Sequence, residues 1–148
     1  MPDIITAFAV ILAGVATWVS WFALKRTDQI ASADLLLRLD ERARSFDEIH
    51  RRLRPGGQWA DGKRGPDTAQ EWADVESYMG FFERMKYLVD RKLIGIDYVD
   101  RFYGYRYDNL IDHPEIRRQK LEGEERDSWQ DILELGRQLE QRWPNRRR

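Results

Sequence analysis

Along this chain a continuous uncharged stretch gives way at Lys25 to mixed apolar and charged positions. From Ile4 to Leu24 no residue carries a charge, and the run of 21 is followed at once by Lys25 and Arg26. At about 1.5 Å rise per residue such a helix is roughly 30 Å long, the thickness of a bilayer's hydrocarbon core. The pattern predicts a transmembrane anchor within residues 1–26, its span about 4–24. Only Met1, Pro2 and Asp3 precede the run, without the basic start of a cleaved signal peptide, so the expectation is an uncleaved signal anchor. Lys25, Arg26, Arg38, Arg42 and Arg44 all follow the run. Positive charge marks the cytoplasmic side, which predicts an outward N-terminus and a cytoplasmic domain over residues 27–148. Trp18, Trp21, Lys25 and Arg26 are the expected interfacial anchors.

Within the run, Thr6, Ala9, Ala13, Ala16, Ser20 and Ala23 recur at alternate spacings of 3 and 4 and line one side of a helix with small side chains. Close backbone approach is what favours helix association in lipid, so this seam is the candidate contact for a homodimer or for another membrane protein.

Beyond Lys25 the pattern is helical and repeatedly interrupted. Leu35, Leu36, Leu39 and Ala43 keep helical spacing, and Ser45 with Glu48 has the form of a capping box restarting the chain toward Leu53. Pro55 to Pro66 holds four Gly and two Pro without apolar periodicity, which predicts a flexible loop over 55–67. Thr68 and Glu71 form a second capping box. The strongest helix follows it, with Trp72, Val75, Met79, Phe82, Met85 and Val89 at 3 and 4 spacing, and it is the expected core. After Gly95, the positions Val99, Phe102, Tyr103, Leu110 and Ile111 predict a helix that stops before His113 and Pro114. A turn-rich stretch, Glu122 to Asp127, leads to a last helix carrying Trp129, Ile132, Leu133, Leu139 and Trp143. No segment alternates as a strand would. The expected class is all-α: one transmembrane helix, then a bundle of about four to five helices.

Composition narrows the function classes. All 25 Lys and Arg, and 25 of the 26 acidic residues, lie from Lys25 onward, so the part beyond the anchor is electrically balanced and no nucleic acid is expected as partner. The chain has no cysteine, which removes disulfides, thiol catalysis and cysteine metal sites.

Two blocks carry a family resemblance. They are Leu35 to Arg42 followed by Ser45, and Phe81-Phe82-Glu83 through Leu93-Ile94 to Phe102-Tyr103-Gly104-Tyr105. With the order of segments, they resemble an uncharacterised bacterial family of small single-pass proteins with an N-terminal membrane helix and a helical cytosolic domain of unknown function. The resemblance covers most of the chain beyond the anchor. It implies fold and topology, including a place in the bacterial inner membrane, and brings no site residues with it.

Candidate chemistry is sparse. Gly57, Gly62 and Lys63 imitate a phosphate-binding loop, but Arg64 stands where Ser or Thr should hold magnesium. His50 and His113 are the only histidines; Asp108, Asp112 and His113 are near enough in sequence to be tested as a metal cluster, against the simpler reading of a solvated helix end. No catalytic residue, cofactor or metal site is assigned. Tyr98, Phe102, Tyr103, Tyr105 and Tyr107 form an aromatic block with Arg101 and Arg106 between them. Core packing explains half of these positions, and Arg101, Tyr105, Arg106 and Tyr107 are the candidate surface for a cytosolic protein partner. Lys25, Arg26, Arg51, Arg52, Arg54, Lys63, Arg64 and Arg146 to Arg148 are candidates for resting on anionic headgroups, at about 1 kcal/mol each near the surface. The expectation is a membrane-anchored interaction or regulatory module and not an enzyme. The alternatives are a small membrane-tethered enzyme using Asp, Glu or His chemistry, and a membrane-active effector.

Overall fold

A computed structural model describes residues 32–60 and 64–142. The expected anchor, with its small-residue seam and interfacial tryptophans, lies outside the described residues, as do Gly62, Lys63, Trp143 and the arginine tail. Among the described residues the chain is all-helical without a strand, and no helix there is long and apolar enough to cross a membrane.

The chain divides into two compact units, Met1–Arg42 and Ala43–Arg148. In the first, residues 32–42 are helical and Asp34 pairs with Arg38 one turn on, at 2.8 Å on the exposed surface. Helix α1 comprises residues 32–44, of which 43 and 44 fall in the second unit.

The second unit holds α2 (Asp47–Leu53), α3 (Ala69–Asp90), α4 (Ile96–Ile111), α5 (Pro114–Ile116), a π-helical turn (Arg117–Leu121), a 3-10 helix (Glu124–Trp129) and α6 (Gln130–Arg142). This is more finely divided than the expected bundle, because short π and 3-10 turns fill the stretch between α5 and α6.

Helix α3 begins where its capping box predicts. The Thr68 side chain accepts from the Glu71 amide, and the Glu71 carboxylate accepts from the Thr68 amide, which satisfies two otherwise orphaned donors. Helix α2 starts one residue beyond the start that Ser45 predicts. The N-cap of α2 is Phe46, whose side chain is buried and stacked on Tyr78 at 5.1 Å between ring centres. Burying that ring moves the helix start on by one residue. Glu48 falls at the second helical position and pairs with Arg51 and Arg52.

Helix α3 is the central element and packs against α6, α4 and α2. Its Val75, Tyr78, Met79, Phe82 and Met85 are fully buried, as are Val99, Tyr107 and Leu110 of α4 and Ile132, Leu135 and Leu139 of α6. Each such side chain contributes about 1.5–3 kcal/mol on leaving water. Aromatic rings run through this core: Phe81 meets Tyr103 edge-on at 5.7 Å, and Phe82 meets Tyr107 edge-on at 5.4 Å.

The described residues of the 55–67 segment carry no regular secondary structure, in line with their composition. The segment nevertheless has anchors. Trp59 is 2% exposed, its carbonyl accepts from His113 Nε2 at 2.8 Å, and Gly65 lies so close over His113 that a Cβ there would overlap Cε1.

Candidate functional site

The aromatic block of α4 separates into two faces. At 100° per residue, Tyr103 and Tyr107 share one side and Phe102 and Tyr105 another. Tyr107 is 1% exposed, and its hydroxyl donates to the Ile132 carbonyl at 2.8 Å. It belongs to the core and leaves the candidate partner surface. Phe102 is also corrected, in the opposite sense: expected in the apolar stripe, it is 57% exposed, while Tyr105 is 59% exposed. Phe102 packs against Tyr98 at 4.8 Å, and the Arg101 guanidinium lies over the Phe102 ring.

Arg106 sits between these faces. It donates to the Ala43 carbonyl at 3.2 Å and pairs with Asp47 at 2.6 Å, tying α4 to the start of α2. Its charge is committed to that joint. Of the four residues expected to form the partner surface, Arg101 and Tyr105 stand exposed, Arg106 is half-buried and Tyr107 is internal.

Tyr105 continues into a second feature. His50 meets its ring edge-on at 5.7 Å, and Tyr105 forms one wall of a groove of about 560 Å³ at the C-terminal end of α2. Arg51, Arg52, Arg54 and Glu48 supply the groove's charges. Arg52 is held in place by Glu48, by Glu71 at 2.8 Å and by the Trp59 ring beneath its guanidinium at 5.0 Å. Burial pushes the His50 imidazole below its ordinary value, and the nearby Arg106 and Arg54 push it further down.

No protein-family model matches the chain, and no curated protein or solved structure matches it either. Function must therefore be read from the chain's own geometry.

The other sequence candidates resolve individually. Gly57 is enclosed: a Cβ would run into the carbonyls of Arg51 and Arg52, and its amide donates to the Arg54 carbonyl, so that amide is not offered to a phosphate. His113 uses both ring nitrogens inside the protein. Nε2 bonds the Trp59 carbonyl, and Nδ1 accepts from the Ile116 amide at 3.4 Å, which makes His113 the N-cap of α5. That pairing fixes the Nε2–H tautomer and leaves no lone pair for a metal. Among the described residues no group of three or more His, Cys, Asp or Glu is placed to hold a metal ion. The carboxylate that comes nearest to a catalytic environment is Glu83, half-buried and raised above its ordinary value by burial and then by Asp131, which is itself exposed.

Among the described residues two buried cations escape the sequence pattern. Lys86 is buried and pairs with Asp90. Lys120, 6% exposed, pairs with Glu76 and Glu125 at 2.6 Å each, and its ammonium lies 5.4 Å from the centre of the Trp72 ring. Burial disfavours its charge, but the hydrogen bonds to Glu125 and Glu76 outweigh burial and raise it. The only sequence signal for such a site is a lysine at the edge of an apolar stripe, which is common on solvated helix faces too.

Proposed function

We propose that this protein is a single-pass membrane-anchored helical module, placed in the bacterial inner membrane with its N-terminus outside, whose cytoplasmic domain binds a protein partner. The observation that carries the reading is the uncharged Ile4 to Leu24 run, closed by Lys25 and Arg26. The chemistry of the helical domain is compatible with it. The core around α3 is filled by apolar and aromatic side chains, both nitrogens of His113 are spent on packing, and exposed aromatics with Arg101 form a face on α4. Aromatic residues and arginine are the side chains that dominate protein interfaces. The small-residue seam from Thr6 to Ala23 gives the anchor a candidate contact of its own.

The test has two parts. The full chain should stay with membranes through an alkaline carbonate wash. A partner captured from membranes by the tagged chain should be lost on Arg101→Glu with Tyr105→Ala and retained on Arg137→Glu, an exposed control on α6. Release into the soluble fraction contradicts the anchor; equal capture by both variants contradicts the surface.

A further inference from the structure

We propose that the groove walled by Arg51, Arg54 and Tyr105 at the end of α2 binds a phosphate ester. It lies within the second unit, so the proposal does not depend on the anchor.

Charge is the first argument. Three arginines line the groove against one carboxylate, Glu48, which is shared between Arg51 and Arg52. Arg52 is committed to Glu71 and to Trp59. The Arg51–Glu48 pair is exposed on both sides, and pairs of that kind hold with about 0–1 kcal/mol, so an incoming oxyanion can take the Arg51 fork at little cost. No described residue forms an ion pair with the Arg54 guanidinium. Among the described residues, two arginines thus face one space with a single weakly held counter-charge, Glu48. Guanidinium forks match phosphate oxygens in pairs, which selects phosphate over a monovalent halide.

Shape is the second argument. The groove's volume of about 560 Å³ is several times that of a bare phosphate and leaves room for the group esterified to it. Gly56 lies at φ +80 with nothing within 4 Å of where a Cβ would stand, so no side chain enters the groove at that point. Tyr105 offers a ring face and a hydroxyl to the remainder of the ligand.

His50 supplies a reporter. It packs on Tyr105, and the charged groups acting on it are Arg54, Arg106 and Asp47. A phosphate seated on Arg54 offsets the positive field at the imidazole, so binding should raise the His50 titration midpoint.

Two sources share this chemistry, a free phosphate ester and a phospholipid headgroup. The experiment follows the His50 ring protons by NMR in the full chain in maltoside micelles, titrated with inorganic phosphate, with phosphatidylglycerol added to the micelles, or with chloride at matched ionic strength. The expected result is a saturable shift of His50 with an upward titration midpoint, weakened about tenfold in Arg54→Gln, the effect of losing one charge-assisted hydrogen bond. A response to phosphatidylglycerol alone assigns the site to a lipid headgroup; a response to inorganic phosphate alone assigns it to a soluble ester. Arg54 is exposed, and an unchanged circular dichroism spectrum confirms that the variant is folded. The proposal is overturned if neither probe moves His50, if chloride moves it equally, or if Arg54→Gln responds as the unaltered chain does.

Discussion

The Tyr107 hydroxyl donates to the carbonyl oxygen of Ile132 at 2.8 Å and reaches it across the bare face of Gly136. This joint fixes α4 on α6, and it explains a glycine in the middle of a helix. A Cβ at position 136 would occupy the place of the phenol oxygen. Tyr107→Phe should cost about 1 kcal/mol, the net worth of one hydrogen bond. Gly136→Ala should cost about 1–3 kcal/mol by overpacking, despite the better helix propensity of alanine. In the double variant the smaller phenyl relieves part of the overlap, so chemical denaturation of the four proteins should give a non-additive cycle. Additive losses would contradict the joint.

The histidines predict an acid-sensitive fold. His113 is held below its ordinary value by burial, and His50 by burial together with Arg106 and Arg54. Below about pH 6.5 the unfolded chain takes up protons that the folded protein refuses, so stability is complete above that pH and falls as pH drops toward the folded values. Asp90 and Glu115, held low by their hydrogen-bond partners, titrate in a lower range. The urea midpoint should therefore be level from pH 8 to 7 and decline between about 6.5 and 5. The decline should be smaller in His50→Gln. A midpoint that rises on acidification through this window would contradict the assigned neutral imidazoles.

Lys120 should tolerate loss of charge better than loss of its partners. Lys120→Met keeps the buried stem while Glu76 and Glu125 remain partly solvated, and should cost no more than about 1 kcal/mol. Removing both carboxylates by Glu76→Gln with Glu125→Gln strands a buried ammonium and should cost more, about 2–3 kcal/mol. Thermal unfolding of the two variants gives the order directly.

Phe102→Ala and Tyr105→Ala should each change stability by less than about 0.5 kcal/mol, as exposed positions do, whereas Tyr107→Ala should cost about 3–5 kcal/mol. The same measurement separates surface from core within six residues of one helix.

That contrast also marks what is legible in the sequence. Helix α3 could be read almost to its ends because a capping box opens it and large apolar residues hold one period to Val89. Its stop is written less plainly. The chain leaves the helix through Lys92, which adopts φ +57 without being glycine, while Leu93 donates back to the Leu88 carbonyl. Gly95, the visible signal, caps the next helix instead. In α4 aromatic residues occupy both faces, so periodicity alone cannot say that Tyr107 points inward and Tyr105 outward; the register is set by Gly136 on another helix. The arginines of the groove show in sequence only as basic positions suited to anionic headgroups; the groove itself depends on Tyr105, some fifty residues away, closing the opposite wall.

The orientation of the proposed anchor is directly measurable, because the chain has no cysteine. Single substitutions Asp3→Cys and Gln141→Cys, each treated with a membrane-impermeant maleimide on intact spheroplasts and again after permeabilisation, report the two ends separately. An outward N-terminus with a cytoplasmic domain predicts labelling of Asp3→Cys from outside and of Gln141→Cys only after permeabilisation. The opposite pattern, or both sites reached only from within, would contradict it.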